Sequence, residues 1–335
     1  EAATVLAMHG LFIFGSSVSL TFFNIYFLRL SESFALNLIY NALMYLFTPP
    51  GFWIGGWLAK RFDRMWTFRL SLLVYMVFFV CVLTFGDGIV RGYGWIALIH
   101  GLAQGFYWAG YLVLQYDVSS GGNRMRYVGI SAVVLTIANF IGPLAGGRLI
   151  ASGAGLTGYL YAFAATFGLF AVVFALSFLV GPKPARLRRF LPGMARLMAR
   201  RQPQWARMLI LWFFSGFLEG LLLFIPALLL YDVFAEEQAV SIALAATALV
   251  STASNWLLAR FGRMERARRY MMLSSFGIGL GTLLLAVGNG AVPVVAFLVI
   301  VALLNPLYHN TFVSRFFQET ERLPLSGSFR VESVV

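Results

Sequence analysis

The chain has 335 residues, of which 60% are hydrophobic and only 11% charged, with a mean hydropathy of +0.81. A soluble globular chain is about 45–50% apolar and about 25% charged, so an ordinary cytosolic enzyme and a disordered chain are excluded, and the single Cys81 excludes a disulfide-stapled secreted domain. The net charge of +12, which would suggest nucleic acid in a soluble chain, in a membrane chain records which loops face the cytoplasm.

Crossing a bilayer core takes roughly 20 apolar residues in a helix. Ten such runs lie near residues 4–28, 35–59, 70–86, 94–116, 128–150, 157–180, 207–231, 239–259, 270–288 and 291–312. They are apolar on both parities, unlike the alternating segments of a membrane β-barrel. Lipid offers no partner to unpaired backbone groups, so the spans are helical. The fold class expected is therefore an all-α polytopic membrane protein. The first run is too long and too weakly flanked for a cleaved signal peptide.

Placing the N-terminus in the cytoplasm puts 22 of the 25 cations on the inside; only Arg29, Arg91 and Arg148 fall outside, beside Glu32, Asp87, Asp232, Glu236 and Glu237. The positive-inside rule favours this orientation, in an inner or plasma membrane of bacterial type. The longest polar stretch, 181–206, follows the sixth run and carries much of the positive charge. It reads as a cytoplasmic linker, with an anionic lipid patch as the lesser alternative.

The sequence also repeats itself. Arg61-Phe-Asp-Arg-Met65 returns as Arg260-Phe-Gly-Arg-Met264 at an offset of 199, while Gly15 and Gly216, and Tyr107 and Tyr308, are each 201 apart. These matches fall in corresponding spans and predict two parallel six-helix repeats, a device of transporters whose substrate site lies between the halves. The expected division is residues 1–181, a basic linker 182–206, and 207–335. A second half as long as the first would run past Val335, so ten of twelve helices are expected here, with a truncation after the tenth.

On these residues the chain resembles the major facilitator superfamily. The loop after the second span, Gly56-Trp-Leu-Ala-Lys60-Arg61-Phe-Asp63-Arg64-Met65, is similar to that family's Gly-x-Leu-Ala-Asp-Arg-x-Gly-Arg-Lys. Lys60 stands at the family's Asp and Asp63 at its second Gly. The resemblance implies a gating loop made of Gly56, Lys60, Arg61, Asp63 and Arg64, echoed by Arg260 and Arg263, with Asp63 the carboxylate left for the role of the missing Asp. The fifth span holds Gly129, Ala138, Gly142-Pro143 and Gly146-Gly147. This resembles the antiporter pattern of drug/proton exporters and implies a tightly packed helix bent at Pro143. In the fourth span Gln104-Gly105 matches a further motif whose Arg is replaced by Gly101.

Ionisable groups inside spans are expensive and are functional candidates. Glu219 is the one carboxylate in the middle of a run, within Ser215-Gly-Phe-Leu-Glu219-Gly220. A carboxyl there that gains and loses a proton would supply what proton-coupled transport requires. His309, in a break of the tenth span at Asn305-Pro306, and His100 are the other candidates for a proton or substrate site. Asn24, Gln104, Tyr107, Trp108 and Asn305 are membrane-depth groups able to line a cavity.

The sequence lacks His-Glu-x-x-His, Gly-x-Ser-x-Gly, paired membrane carboxylates and an ATP-binding Gly-x4-Gly-Lys-Ser/Thr, so it does not read as an enzyme. No metal site or cofactor is expected. The expected function is secondary active transport by alternating access, with proton-coupled export of a small amphipathic molecule by a monomer. The expected partners are that substrate, protons and the lipid bilayer, with no nucleic acid. The alternatives are an uptake permease or a lipid or glycolipid flippase of the same fold, and a non-transporting sensor or channel.

Overall fold

The structure, a computed structural model, describes residues 1–118, 124–182, 190–191, 193–261, 266–288 and 290–321. The helices are α1 (Ala2–Ser31), α2 (Phe34–Arg61), α3 (Arg64–Phe85), the one-turn α4 (Gly88–Arg91), α5 (Tyr93–Val118), α6 (Arg124–Ala151) and α7 (Thr157–Leu176). They continue with α8 (Gly193–Arg201), α9 (Pro203–Phe234), α10 (Glu237–Phe261), α11 (Ala267–Val287) and α12 (Ala291–Glu321).

Local chemistry sets several ends. The Ser33 side chain accepts the Leu36 N–H at the start of α2, and Asp63 accepts the Met65 N–H, 2.9 Å, at the start of α3. Glu32 and Ala235 end α1 and α9 in the left-handed conformation. Pro203 opens α9 at a position where its missing N–H costs nothing. Interior prolines (Pro143 in α6, Pro226 in α9, Pro306 in α12) bend helices whose neighbours hold them in place.

Among the described residues, eight helices are long and apolar enough to cross a membrane. The runs predicted at 35–59 and 94–116 do form the long helices α2 and α5, but neither meets that measure. Asparagine, tyrosine, glycine and proline dilute α2, and His100 and Gln104 sit in α5. These two helices pack lengthwise on each other, with the Tyr40 hydroxyl 2.7 Å from His100 Nδ1. Their polar groups are thus satisfied inside protein, as lipid requires.

Helices α1, α2, α3, α5, α6 and α7 pack among themselves, as do α9, α10, α11 and α12; α1 against α9 and α6 against α10 join the two sets. The first set is filled by aromatic rings, including Phe12 stacked on Tyr107 with centroids 3.5 Å apart. Helix α1 is its hub. The Ser17 hydroxyl donates to Asn139 of α6, that of Ser19 donates to the Ala162 carbonyl of α7, and His9 Nδ1 lies 2.6 Å from the Tyr107 hydroxyl of α5.

The glycines of α6 show what their motif does. A Cβ on Gly146 would strike the Val18 carbonyl of α1, and one on Gly147 would lie 2.6 Å from Ser241 Oγ of α10. Adjacent glycines thus serve different neighbours, one within the first set and one across the seam. Gly142 meets Ser17 in the same way, and Gly129 belongs to the same helix.

Candidate functional site

Glu219 lies near the middle of α9, and the fold sets it against α12. Its Oε1 is 3.1 Å from His309 Nδ1, with the two side chains 34% and 49% exposed. One helical turn earlier on α9, Ser215 Oγ is 2.6 Å from the Tyr308 hydroxyl. Residues four apart share a helix face, so Ser215 and Glu219 present two polar contacts in a row to Tyr308 and His309. Behind them Asn310 of α12 donates to Asn255 of α10, and the buried Asn305 Oδ1 finds no hydrogen-bond partner among the described residues.

This cluster touches the seam. The Tyr45 hydroxyl of α2 donates to the Gly220 carbonyl at 3.3 Å, and Tyr45 lies within electrostatic reach of Glu219. The groups facing the carboxylate are therefore His309 from α12 and Tyr45 from α2. A proton on His309 Nδ1 points at the carboxylate. The Tyr45–Gly220 hydrogen bond, which joins the two helix sets, lies one residue away.

A second polar junction closes the seam at one end. Arg29 Nη1, in the last turn of α1, donates to Glu237 Oε1, in the first turn of α10, at 2.7 Å. The Tyr159 hydroxyl of α7 donates to the same oxygen at 2.8 Å, and the Arg29 guanidinium lies 5.7 Å from the Tyr159 ring centre. The packing of Gly147 on Ser241 is the next layer inward.

The remaining predicted residues lie elsewhere. His100 is buried among Tyr40, Phe23, Tyr75 and Phe78, away from Glu219. Tyr107 is fully buried, and Trp108 packs with it against His9 and Tyr111. Asn24 accepts from Asn41 through its side chain and from Asn37 through its carbonyl, a polar knot between α1 and α2. Gln104 is half-buried on α5. In the predicted gating loop Gly56 and Lys60 are buried, Arg61 lies over the Trp57 ring, Asp63 caps α3 and Arg64 opens it. Arg260 is in the last turn of α10, while Arg263 lies outside the described residues.

Charge scarcity singles out Glu219, but its pairing with His309 spans 90 positions and leaves no local trace. The Arg29–Tyr159–Glu237 junction escapes sequence reasoning for the same reason. Its one signal is that the charge bias puts Arg29 and Glu237 on the same side.

Two sets of long apolar helices meeting at a polar seam define an integral, multi-pass membrane protein. The chain belongs to the Major Facilitator Superfamily, which it matches over residues 3–322, and the fold is that of a transporter. It is 26% identical over 337 aligned residues to the uncharacterized protein YqgE of Bacillus subtilis (strain 168), covering 99% of this chain and 77% of that protein. It is 33% identical over 161 residues to an uncharacterized protein in the sodM 3′ region of Geobacillus stearothermophilus, covering 48% of this chain and 75% of that protein. Among solved structures, a mutant of the nucleoside transporter NupG superposes with a TM-score of 0.71 at 14% identity, covering 99% of this chain and 86% of the other. A D-xylose–proton symporter gives 0.69 at 13% identity, covering 98% and 89%.

Proposed function

We propose that the chain is a secondary active transporter that moves a small amphipathic molecule by alternating access and couples the movement to protons at Glu219. The observation that carries this reading is the Glu219–His309 contact one residue from the Tyr45–Gly220 bond. Neutralising the carboxylate weakens the contact between α9 and α12 and lets α9 shift at Gly220, where Tyr45 of α2 holds it. The residues up to 181 form one rocking body and those from 207 the other, joined by the cytoplasmic stretch between them. Protonation biases the equilibrium only through contacts that differ between the two states, which is the role this reading gives the contacts around Glu219.

The halves are closed at the Arg29–Glu237 end, which the charge bias assigns to the outside. Export is the direction that the resemblance of the α6 glycine pattern to that of drug/proton exporters supports.

The test is Glu219→Gln in proteoliposomes. A tritiated or fluorescent substrate found by ligand-induced thermal shift is driven by an imposed pH gradient. Proton-driven accumulation is expected to vanish while substrate exchange without a gradient persists. Accumulation equal to that of the unchanged protein would refute coupling at Glu219.

A further inference from the structure

Residues 181–207 contain eight cations, seven of them arginine, and not one carboxylate. Part of this stretch folds as α8. Its buried Met198 packs with Trp205, and Met194 and Ala199 join Met208 and Leu209 in the same cluster. Met208 and Leu209 begin the apolar run of α9, and a single residue, Gln202, separates the two helices. Helix α8 is thus tied at the level where the α9 span leaves the hydrocarbon.

Its other face is cationic. Arg196, Arg200 and Arg201 are exposed, and none forms an ion pair with a described residue. Arg196 and Arg200 are one turn apart, where like charges repel. The exposed Leu197 lies beside them. A short helix with apolar side chains on one face and arginines on the other is suited to the membrane–water boundary. Arginine's planar fork fits phosphate oxygens two at a time, which a single ammonium does not.

We propose that the arginine face of α8 is a binding site for the phosphate headgroup of an anionic phospholipid in the adjoining leaflet. The headgroup sits between Arg196 and Arg200 and relieves the repulsion between them, while Arg201, on another side of the helix, adds charge near the surface. The site lies apart from Glu219 and operates whether or not protons drive transport.

The experiment is native mass spectrometry of the full chain in detergent, titrated with phosphatidylglycerol or with phosphatidylcholine. Phosphatidylglycerol is expected to be retained in preference. An arginine near an anionic surface contributes a factor of about five in affinity, so the triple variant Arg196→Gln, Arg200→Gln, Arg201→Gln is expected to lose roughly 100-fold. The matching triple lysine variant keeps the charge and is expected to lose only the part due to the planar fork. Should the triple glutamine variant fail to fold, Arg200→Gln alone is expected to lose about fivefold. Equal retention of the two lipids, or unchanged retention by the glutamine variants, overturns the proposal. Displacement of the lipid by equimolar inorganic phosphate or by a single-stranded oligonucleotide also overturns it, since free phosphate or nucleic acid would then be the ligand.

Discussion

Breaking the Arg29–Glu237 junction should shift the protein toward a state open at that end by a calculable amount. Helix dipoles favour a cation in the last turn of α1 and an anion in the first turn of α10. Those terms persist when the halves part, so they do not hold the junction shut. What is lost on opening is the ion pair and the Tyr159 bond to the same oxygen. The Arg29 side chain is 33% exposed and Glu237 18%, so solvent screening keeps the pair near about 1 kcal/mol. Charge assistance of the Tyr159 bond adds about 1 kcal/mol more. Glu237→Gln removes both contributions while retaining a neutral acceptor, and about 2 kcal/mol corresponds to a roughly 30-fold shift in the equilibrium. Arg29→Met removes the pair alone and should give roughly fivefold. The assay is alkylation of Ser241→Cys, in a Cys81→Ser background, by an impermeant maleimide added from the Glu237 side. Ser241 is buried under Gly147, so its labelling rate follows the open fraction. In the double variant the effects should not add, because both changes remove one interaction. Labelling rates unchanged by either substitution, or strictly additive effects, would refute the reasoning.

Other outcomes follow from the packing. Gly146→Val drives a side chain into the α1 backbone and should abolish accumulation of folded protein in membranes, whereas Gly147→Val wedges the α6–α10 seam and should leave a monodisperse protein with faster labelling at Ser241→Cys. Similar behaviour of the two variants in size-exclusion chromatography and labelling would count against this division. Asp63→Ala removes the cap of α3 and should cost about 0.5–2 kcal/mol, read as a lower thermal midpoint, while Asp63→Asn keeps an acceptor and should lose much less. Equal losses would mean that the charge, and not the cap, is what the position needs.

How much of this is legible in the sequence depends on the range of the interactions. The long helices follow from hydrophobic runs, and most ends lie within about four residues of the runs, but α3 starts six residues before its run, at the Asp63 cap, and α12 extends nine residues past its run, because a helix continues beyond its apolar part. The uninterrupted runs at 35–59 and 94–116 read as spans, and they form α2 and α5, whose polar content keeps them below the apolar measure that the other eight long helices meet; Tyr40 and His100 pair where the two helices pack. Among the candidate site residues, the rarity of membrane carboxylates singles out Glu219. The fold then sets His309 beside it and sends His100, Tyr107 and Asn24 to aromatic or amide partners in the first helix set. Those fates depend on which faces of distant helices meet, and residue type alone does not encode that. The Asp63 cap shows the opposite case, since a carboxylate two residues before a helical N–H is a sequence-local arrangement.

The polar bonds of α1 have a consequence for biosynthesis. This helix is made before most of the helices it bonds to, and Ser19 must wait for Ala162 and Thr166 to be translated before its hydroxyl is satisfied. At about 5–20 residues per second the delay is roughly ten to thirty seconds. Asn24 meets Asn37 and Asn41 early, but His9 waits for Tyr107, Ser17 for Asn139 and Ser19 longest of all. A nascent chain of this design gains from being retained in a sheltered, partly hydrated chamber until α7 emerges. Releasing α1 into lipid on its own would strand polar groups in hydrocarbon, so the insertion machinery that holds the early helices back is as much a determinant of this fold as its packing.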